Sequence, residues 1–326
     1  MVKLCIVRLN HTTKSLRRSF GELKLIQVLE HKTARVQIAG CLQSKEQKHQ
    51  SPDQPYYRLA FSYIPPEAPH SNNMSIILYD SPTTIPGKAL SPNMRKTRYC
   101  LSYKGLSYKT QWIEYVNIQS ECKKIGIPPT AKNGDGSDFY TLPAIYDPHT
   151  GKYIADSFEI AVYLDKTYPN APPIFPGGYQ TTTGLQHAFE HGIFFPAIDK
   201  HRSFAFYETF LVQNEISKPY FRDSFEKRLG VKLEDLAPKG ELAVQQWKKF
   251  EEAFGTVAAV YAKTDAAGPY LMGDRISWGD IVVCSFLIWW RRLWGEQSQQ
   301  WKDISSWQGG RWGKLLSSLD KYSEIY

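Results

Sequence analysis

A proline stands in the middle of what otherwise reads as a good strand. Residues 140–146 run Tyr-Thr-Leu-Pro-Ala-Ile-Tyr, and Pro143 has no N–H to give to a ladder. The residues downstream narrow the choice of folds. Asp147-Pro148-His149-Thr150-Gly151 has hairpin-turn chemistry, and residues 152–154 read as the returning strand. Asp156-Ser157 then opens a helix to about Tyr168, with Ile160, Ala161 and Leu164 at helical spacing.

The preceding residues supply the other half of the unit. Residues 76–79 form a short apolar strand that ends at Asp80-Ser81-Pro82, followed by a long loop with Pro86 and Gly87. Ser91-Pro92 pairs an N-cap residue with a proline at the first helical position. Met94, Tyr99, Leu101 and Leu106 continue that helix pattern, and Gly105 marks its stop. Residues 111–116 alternate like a second strand, residues 118–125 suggest a short helix, and residues 128–136 read as a loop. Beyond residues 169–178, rich in Pro and Gly, the patterns are helical, with long amphipathic stretches over 185–211, 242–262 and 278–293. The order βαβαββα followed by helices predicts a thioredoxin-like domain over residues 74–168, a linker over 169–178 and a helical domain over 179–326.

Charge sets residues 1–73 apart. The 326-residue chain has a net charge of +8, and eleven basic against five acidic residues lie before Met74. Six of the eight net positive charges therefore belong to this stretch, and the near-neutral remainder does not point to a nucleic-acid partner. Residues 1–73 lack sustained periodicity and read as a poorly structured extension. Two readings stand: a mitochondrial presequence, or upstream sequence with Met74 as the true start. The second is preferred, with a cytoplasmic location. No apolar run is long enough for a membrane span. Five cysteines without a CxxC pair argue against a disulfide scaffold or a structural zinc site, and no metal is expected.

Thr141-Leu142-Pro143-Ala144-Ile145, a hairpin, and Asp156-Ser157 thirteen residues after the proline resemble the glutathione site of glutathione transferases. The resemblance implies that the proline is cis and turns the preceding backbone outward. Leu142 N–H and C=O would then pair with the cysteinyl part of glutathione. Ser157 and the helix N-terminus would hold the γ-glutamyl carboxylate, and Asp156 the ammonium group. Residues 273–280, Gly-Asp-Arg-Ile-Ser-Trp-Gly-Asp, resemble the family's core-helix start, with Ser277 and Asp280 as a capping box and Ile276 in a hydrophobic staple. The Ser91-Pro92-Asn93 helix start, Lys104-Gly105-Leu106 and residues 307–312 are similar to the fungal transferases related to lignin β-etherases. That subgroup implies an aromatic or ether-containing acceptor and fungal secondary metabolism, and the wider transferase resemblance implies a homodimer.

A transferase must lower the pKa of the glutathione thiol and hold the thiolate, with a hydrogen-bond donor near a helix N-terminus. The resemblance implies a hydroxyl between the first strand and first helix. Ser91 fits this role best; Asn93 is the runner-up and Ser81 a third candidate, while Tyr79 lies within the strand and reads as packed. No cysteine sits at the helix start, and Cys100 reads as buried, which argues against thiol–disulfide chemistry. Lys123, Lys124 and Lys132 are open alternatives for the glycine carboxylate. Lys96 and Arg98 are read as surface residues.

Other signals weigh less. His187 and His191 have i,i+4 spacing without a third ligand and read as helix surface or pocket mouth. Phe189, Phe194, Phe195, Phe204, Phe206, Tyr207 and Phe210 suggest a helical core, one face of which could line an apolar acceptor pocket. The rival to catalysis is a non-catalytic protein of the same fold that carries aromatic ligands. It is kept alive by the long loop 81–90, which could displace the thiol-activating group.

Overall fold

The computed structural model describes residues 75–325, so the expectations for residues 1–73 and for Met74 as a start lie outside the described residues. The first half is β1 (Ile76–Asp80), α1 (Pro92–Tyr103), β2 (Tyr108–Trp112), α2 (Ile118–Ile125), β3 (Ala131–Lys132), β4 (Asp138–Phe139), β5 (Ala144–Asp147), β6 (Lys152–Ala155) and α3 (Ser157–Thr167). A four-stranded sheet has the order β2-β1-β5-β6, with β1 parallel to β2 and antiparallel to β5. This is the thioredoxin-like arrangement. The helical half comprises α4 (Tyr179–Phe189), α5 (Phe195–Ile198), α6 (Ser203–Leu211), α7 (Lys218–Leu229), α8 (Gly240–Tyr261), α9 (Trp278–Trp294) and α10 (Gln299–Leu319). No helix among the described residues is long and apolar enough to cross a membrane.

Several elements differ from the sequence-based expectation. The second strand begins at Tyr108 rather than Gln111, because Ile76 N–H donates to Ser107 O and fixes parallel pairing from that point. The ladder of β5 starts at Ala144, after Pro143, whose carbonyl accepts from Asp156 N–H at 3.2 Å. Residues 140–142 are thereby left outside the sheet. The stretch 185–211 is not one helix: a π-helical segment at Glu190–Phe194, Pro196 and a short 3₁₀ turn at Asp199–His201 divide it. The hairpin of β3 and β4 begins inside the expected loop.

Helix α1 holds the two halves together. It packs against α3 on one side and α9 on the other, so residues 94–101 are all buried. Lys96 and Arg98, expected at the surface, are therefore interior residues. Arg98 is fully buried and donates from Nε and Nη2 to Asp80 Oδ2 at 2.9 and 2.7 Å. Lys96 Nζ lies 2.7 Å from Glu190 Oε1, and Trp278 Nε1 donates to Glu190 Oε2 at 2.7 Å. Glu190 belongs to the π-helical segment, whose altered backbone phase carries the carboxylate inward between α1 and α9.

Lys104 Nζ reaches Asp165 at 2.8 Å, and that carboxylate also accepts from Ile174 and Phe175 N–H. Helix α9 is buried from Trp278 to Trp290. Asp280 accepts from Ser277 N–H, Ser277 Oγ and Leu271 N–H, which joins the α9 start to the loop before it.

A buried ion pair gives little net stability, but removing one partner leaves an uncompensated charge. Glu190→Gln is expected to cost about 3–5 kcal/mol in urea unfolding. Replacing both partners, as Lys96→Met with Glu190→Leu, should recover part of that loss; a double variant no more stable than the single one would contradict the role given to the unpaired charge.

Candidate functional site

The long loop after β1 is firmly held. Thr83 N–H and Oγ1 both donate to Lys88 O, and Thr84 N–H reaches across to Val212 O at 2.9 Å. Arg95 Nη2 donates to Ala89 O and Nη1 to Ser323 O. These bonds bring the chain to Ser91 at the head of α1. Ser91 O accepts from Arg95 N–H at 3.0 Å, while its side chain makes no capping bond and no other hydrogen bond among the described residues. Its hydroxyl is thus free at a helix N-terminus, where partial positive charge favours an anion.

Ser91 lines a cavity of about 630 Å³ between the thioredoxin-like and helical halves. Asn93, Ser81 and Leu142 share this wall. Asn93 is exposed, and Ser81 Oγ is buried without a partner among the described residues. The Leu142–Pro143 bond is cis, and neither Leu142 N–H nor Leu142 O has a hydrogen-bond partner among the described residues. A strand-like donor and acceptor therefore face the cavity beside a free hydroxyl. Tyr79 is packed within β1.

Pro143, Asp156 and Ser157 do not line the cavity itself. They stand behind Leu142, joined by the Asp156-to-Pro143 backbone bond. Asp156 caps α3: Oδ1 accepts from Phe158 and Glu159 N–H at 2.8 and 3.1 Å. Its Oδ2 has no partner among the described residues, and its φ of +77° is unusual for a residue with a Cβ. The Ser157 hydroxyl has no partner among the described residues. The candidate set thus falls into two groups, Ser91, Asn93 and Leu142 at the cavity and Asp156 and Ser157 at the head of α3.

The three lysines considered for the glycine carboxylate are peripheral. Lys124 pairs with Glu121, Lys132 pairs with Asp138, and Lys123 lies 5.6 Å over the ring of Tyr140, a cavity residue. Cys100 is fully buried, which pushes its thiol well above the usual range. His187 and His191 are exposed and stack at 4.2 Å, away from the cavity lining.

The opposite wall is aromatic. Of the seven aromatic residues suspected from sequence, only Phe206 lines the cavity; Phe189, Phe194 and Phe210 are core, and Phe195, Phe204 and Tyr207 are half-buried. The wall lies instead in α7, which sequence reasoning missed, where Tyr220, Phe221, Phe225 and Arg228 line it. The i,i+4 repeat of Phe221 and Phe225 was the available signal. Tyr115 from the first half packs against Tyr220 and Phe221 at ring distances of 5.8 and 5.3 Å. Burial raises the Tyr115 phenol pKa, with Ser224 and Arg228 pulling the other way. Beside it, Glu114 accepts from Asn214 Nδ2 and Ser217 Oγ, a second tie between the two halves.

Residues 90–167 match the family described as glutathione S-transferase, N-terminal domain, and residues 184–322 match its C-terminal domain. A glutathione S-transferase of Ceriporiopsis subvermispora, crystallised in complex with glutathione, is 40% identical. It is covered over 99% of its length by 78% of this chain, with a TM-score of 0.73. Glutathione transferase GSTFuA3 from Phanerochaete chrysosporium is 36% identical at the same coverages, with a TM-score of 0.72. The chain belongs to the glutathione S-transferases. The glutathione S-transferase-like protein ustS of Aspergillus flavus is 29% identical over 257 residues, 76% of this chain and 90% of that protein.

In this family member the strained Asp156 allows its capping role to be separated from the glutathione contact expected of it. Asp156→Ala should lower stability by about 1 kcal/mol through loss of the cap. Asp156→Gly should lose only a few tenths, because glycine accepts the positive φ and caps nearly as well. Both should weaken glutathione binding. Equal melting temperatures for the two variants would rule out a backbone contribution from the positive φ.

Proposed function

We propose that the protein conjugates glutathione to an electrophilic aromatic carbon. Leu142 N–H and C=O pair with the cysteinyl backbone of glutathione, with Pro143 setting that backbone's direction. Ser157 Oγ and the α3 N-terminus hold the γ-glutamyl carboxylate, and Asp156 takes the ammonium group. Ser91 Oγ donates to the thiolate, with the α1 N-terminus adding its positive potential. The thiol proton leaves to solvent, the sulfur attacks the carbon, a C–S bond forms, and the leaving group departs with its electron pair. Asn93 is the alternative donor.

The observation that carries this reading is the Ser91 hydroxyl: free of any helix-capping bond, and lining the same cavity as the unpaired Leu142 backbone. The aromatic wall supports a hydrophobic acceptor. The etherase-like residues add an aryl ether as one form of it, in fungal secondary metabolism, and the family supports a homodimer. The rival reading, a non-catalytic carrier, rests on displacement of the thiol-activating group by loop 81–90. The bonds that anchor this loop to Val212 and leave Ser91 at the head of α1 favour catalysis.

A hydrogen bond to a charged group contributes roughly 1.5–3 kcal/mol. Ser91→Ala is therefore expected to lower kcat/KM about 10- to 100-fold with chlorodinitrobenzene. Its rate profile should shift to higher pH, because the bound thiol ionises less readily. Glutathione affinity by calorimetry should change little in that variant, whereas Ser157→Ala should weaken it by about 10- to 100-fold on the same bond strength. Full activity in Ser91→Ala would move the assignment to Asn93 or Ser81, and absence of glutathione binding in the unaltered chain would favour the carrier.

A further inference from the structure

Two arginines line the helical wall of the cavity, Arg202 just before α6 and Arg228 in the last turn of α7. Asp199 is the only acidic lining residue among those described, and it pairs with Arg202 at 2.8 Å. Arg228 has no carboxylate within ion-pair distance among the described residues. Arg222, six residues earlier on the same helix, is held by both Glu226 and Glu234 at 2.7 and 2.6 Å. Helix α7 therefore saturates the arginine outside the cavity and leaves the lining one unpaired.

The two lining guanidiniums sit on rings of the same wall. Arg228 lies 4.3 Å over Phe225 and Arg202 lies 6.0 Å over Phe206. Arg202 Nε is buried without a partner among the described residues. Burial, opposed by Asp199, lowers the Arg202 pKa, and Arg228 is close enough to add to that effect. The facing wall around Ser91, Asn93 and Leu142 carries no charged side chain. The cavity thus has one excess positive charge, set among rings and opposite the thiol-activating hydroxyl.

The geometry points to an anionic aromatic acceptor: a planar ring bearing a carboxylate or phenolate, with its acid group at Arg228 and Arg202 and its electrophilic carbon toward Ser91. A guanidinium over a ring edge offers such a ligand both a charge partner and a stacking surface. This inference deepens the transferase reading and rests on it for the reacting carbon, but anion selectivity can be read without turnover.

The test compares chlorodinitrobenzene with chlorodinitrobenzoate, which share ring chemistry and leaving group and differ in the carboxylate. Wild-type protein should favour the benzoate, and less so at high salt. Arg228→Gln should lower kcat/KM for the benzoate about tenfold more than for the neutral ring, mainly through KM, and Arg228→Lys should restore part of the preference. In parallel, fluorescence titration of anilinonaphthalene sulfonate and of neutral phenylnaphthylamine reads the same selectivity by binding alone.

Equal losses for both acceptors and both dyes would overturn the proposal. So would a loss of glutathione affinity in Arg228→Gln, which would assign the arginine to a carboxylate of glutathione. If neither acceptor is turned over, the transferase reading fails, and the dye pair alone decides whether the cavity selects anions.

Discussion

Helix α1 must bury four cationic side chains, and nearly everything about the site depends on how they are matched. Arg95, Lys96, Arg98 and Lys104 lie in or just after one helix covered on two sides. Desolvating a charge costs several kcal/mol unless a partner is close and well aligned. Each cation has found its partner in a different element: Asp80 at the end of β1, Glu190 between α4 and α5, Asp165 in α3, and for Arg95 the carbonyls of Ala89 and Ser323. The helix is thereby fixed in translation and rotation by contacts distributed around it. Ser91 at its head inherits that fixity.

These pairs are better described as setting geometry than as adding stability. Burial lifts the Asp80 carboxyl pKa above its usual value despite two hydrogen bonds from Arg98. Arg98 Nη1 is buried with no partner among the described residues, although the guanidinium also lies 5.3 Å over the Trp112 ring. A tightly packed apolar pair of similar volume could stabilise the fold as well. Such a pair would not select one register of α1 against β1, since apolar surfaces slide with little penalty and an ion pair held by two hydrogen bonds does not.

Local chemistry was legible in the sequence wherever it is decided locally. Ser91-Pro92 opens α1, Asp156 caps α3 and Asp280 ties down the α9 start, because caps depend on residues a few positions apart. The sheet edges were less legible. The alternation at 111–116 is real in sequence, but the bond from Ile76 N–H to Ser107 O and the pairing of Ile76 with Tyr108 outweigh it and move β2 toward the N-terminus. The burial of Lys96 and Arg98 escapes sequence for a related reason. A basic residue on a helix is ordinarily solvated, and only the tertiary arrangement shows that both sides of α1 are covered. The aromatic wall was hidden because α7 intersperses charged residues among its aromatic ones, so the single i,i+4 step from Phe221 to Phe225 does not stand out as an amphipathic period. The π-helical phase shift at Glu190 has no short sequence signature at all.

The two walls of the cavity differ in what the fold demands of them. On the α1 side, the cationic side chains and the loop are constrained by burial, and the free groups, Ser91 Oγ and the Leu142 backbone, are left where the surrounding matches put them. On the α7 side, the ties are few: Glu114 to Asn214 and Ser217, and Thr84 to Val212. Arg222 is neutralised by two carboxylates because it braces α7 against Glu234 in the following turn. Arg228 braces nothing of the kind. Its side chain is exposed, it packs on Phe225, and no described carboxylate answers it. An exposed, unpaired cation over a ring is tolerated by the fold without being required by it. Its charge is therefore available to whatever occupies the cavity, whereas the charges on the α1 side are already committed to holding the site in place.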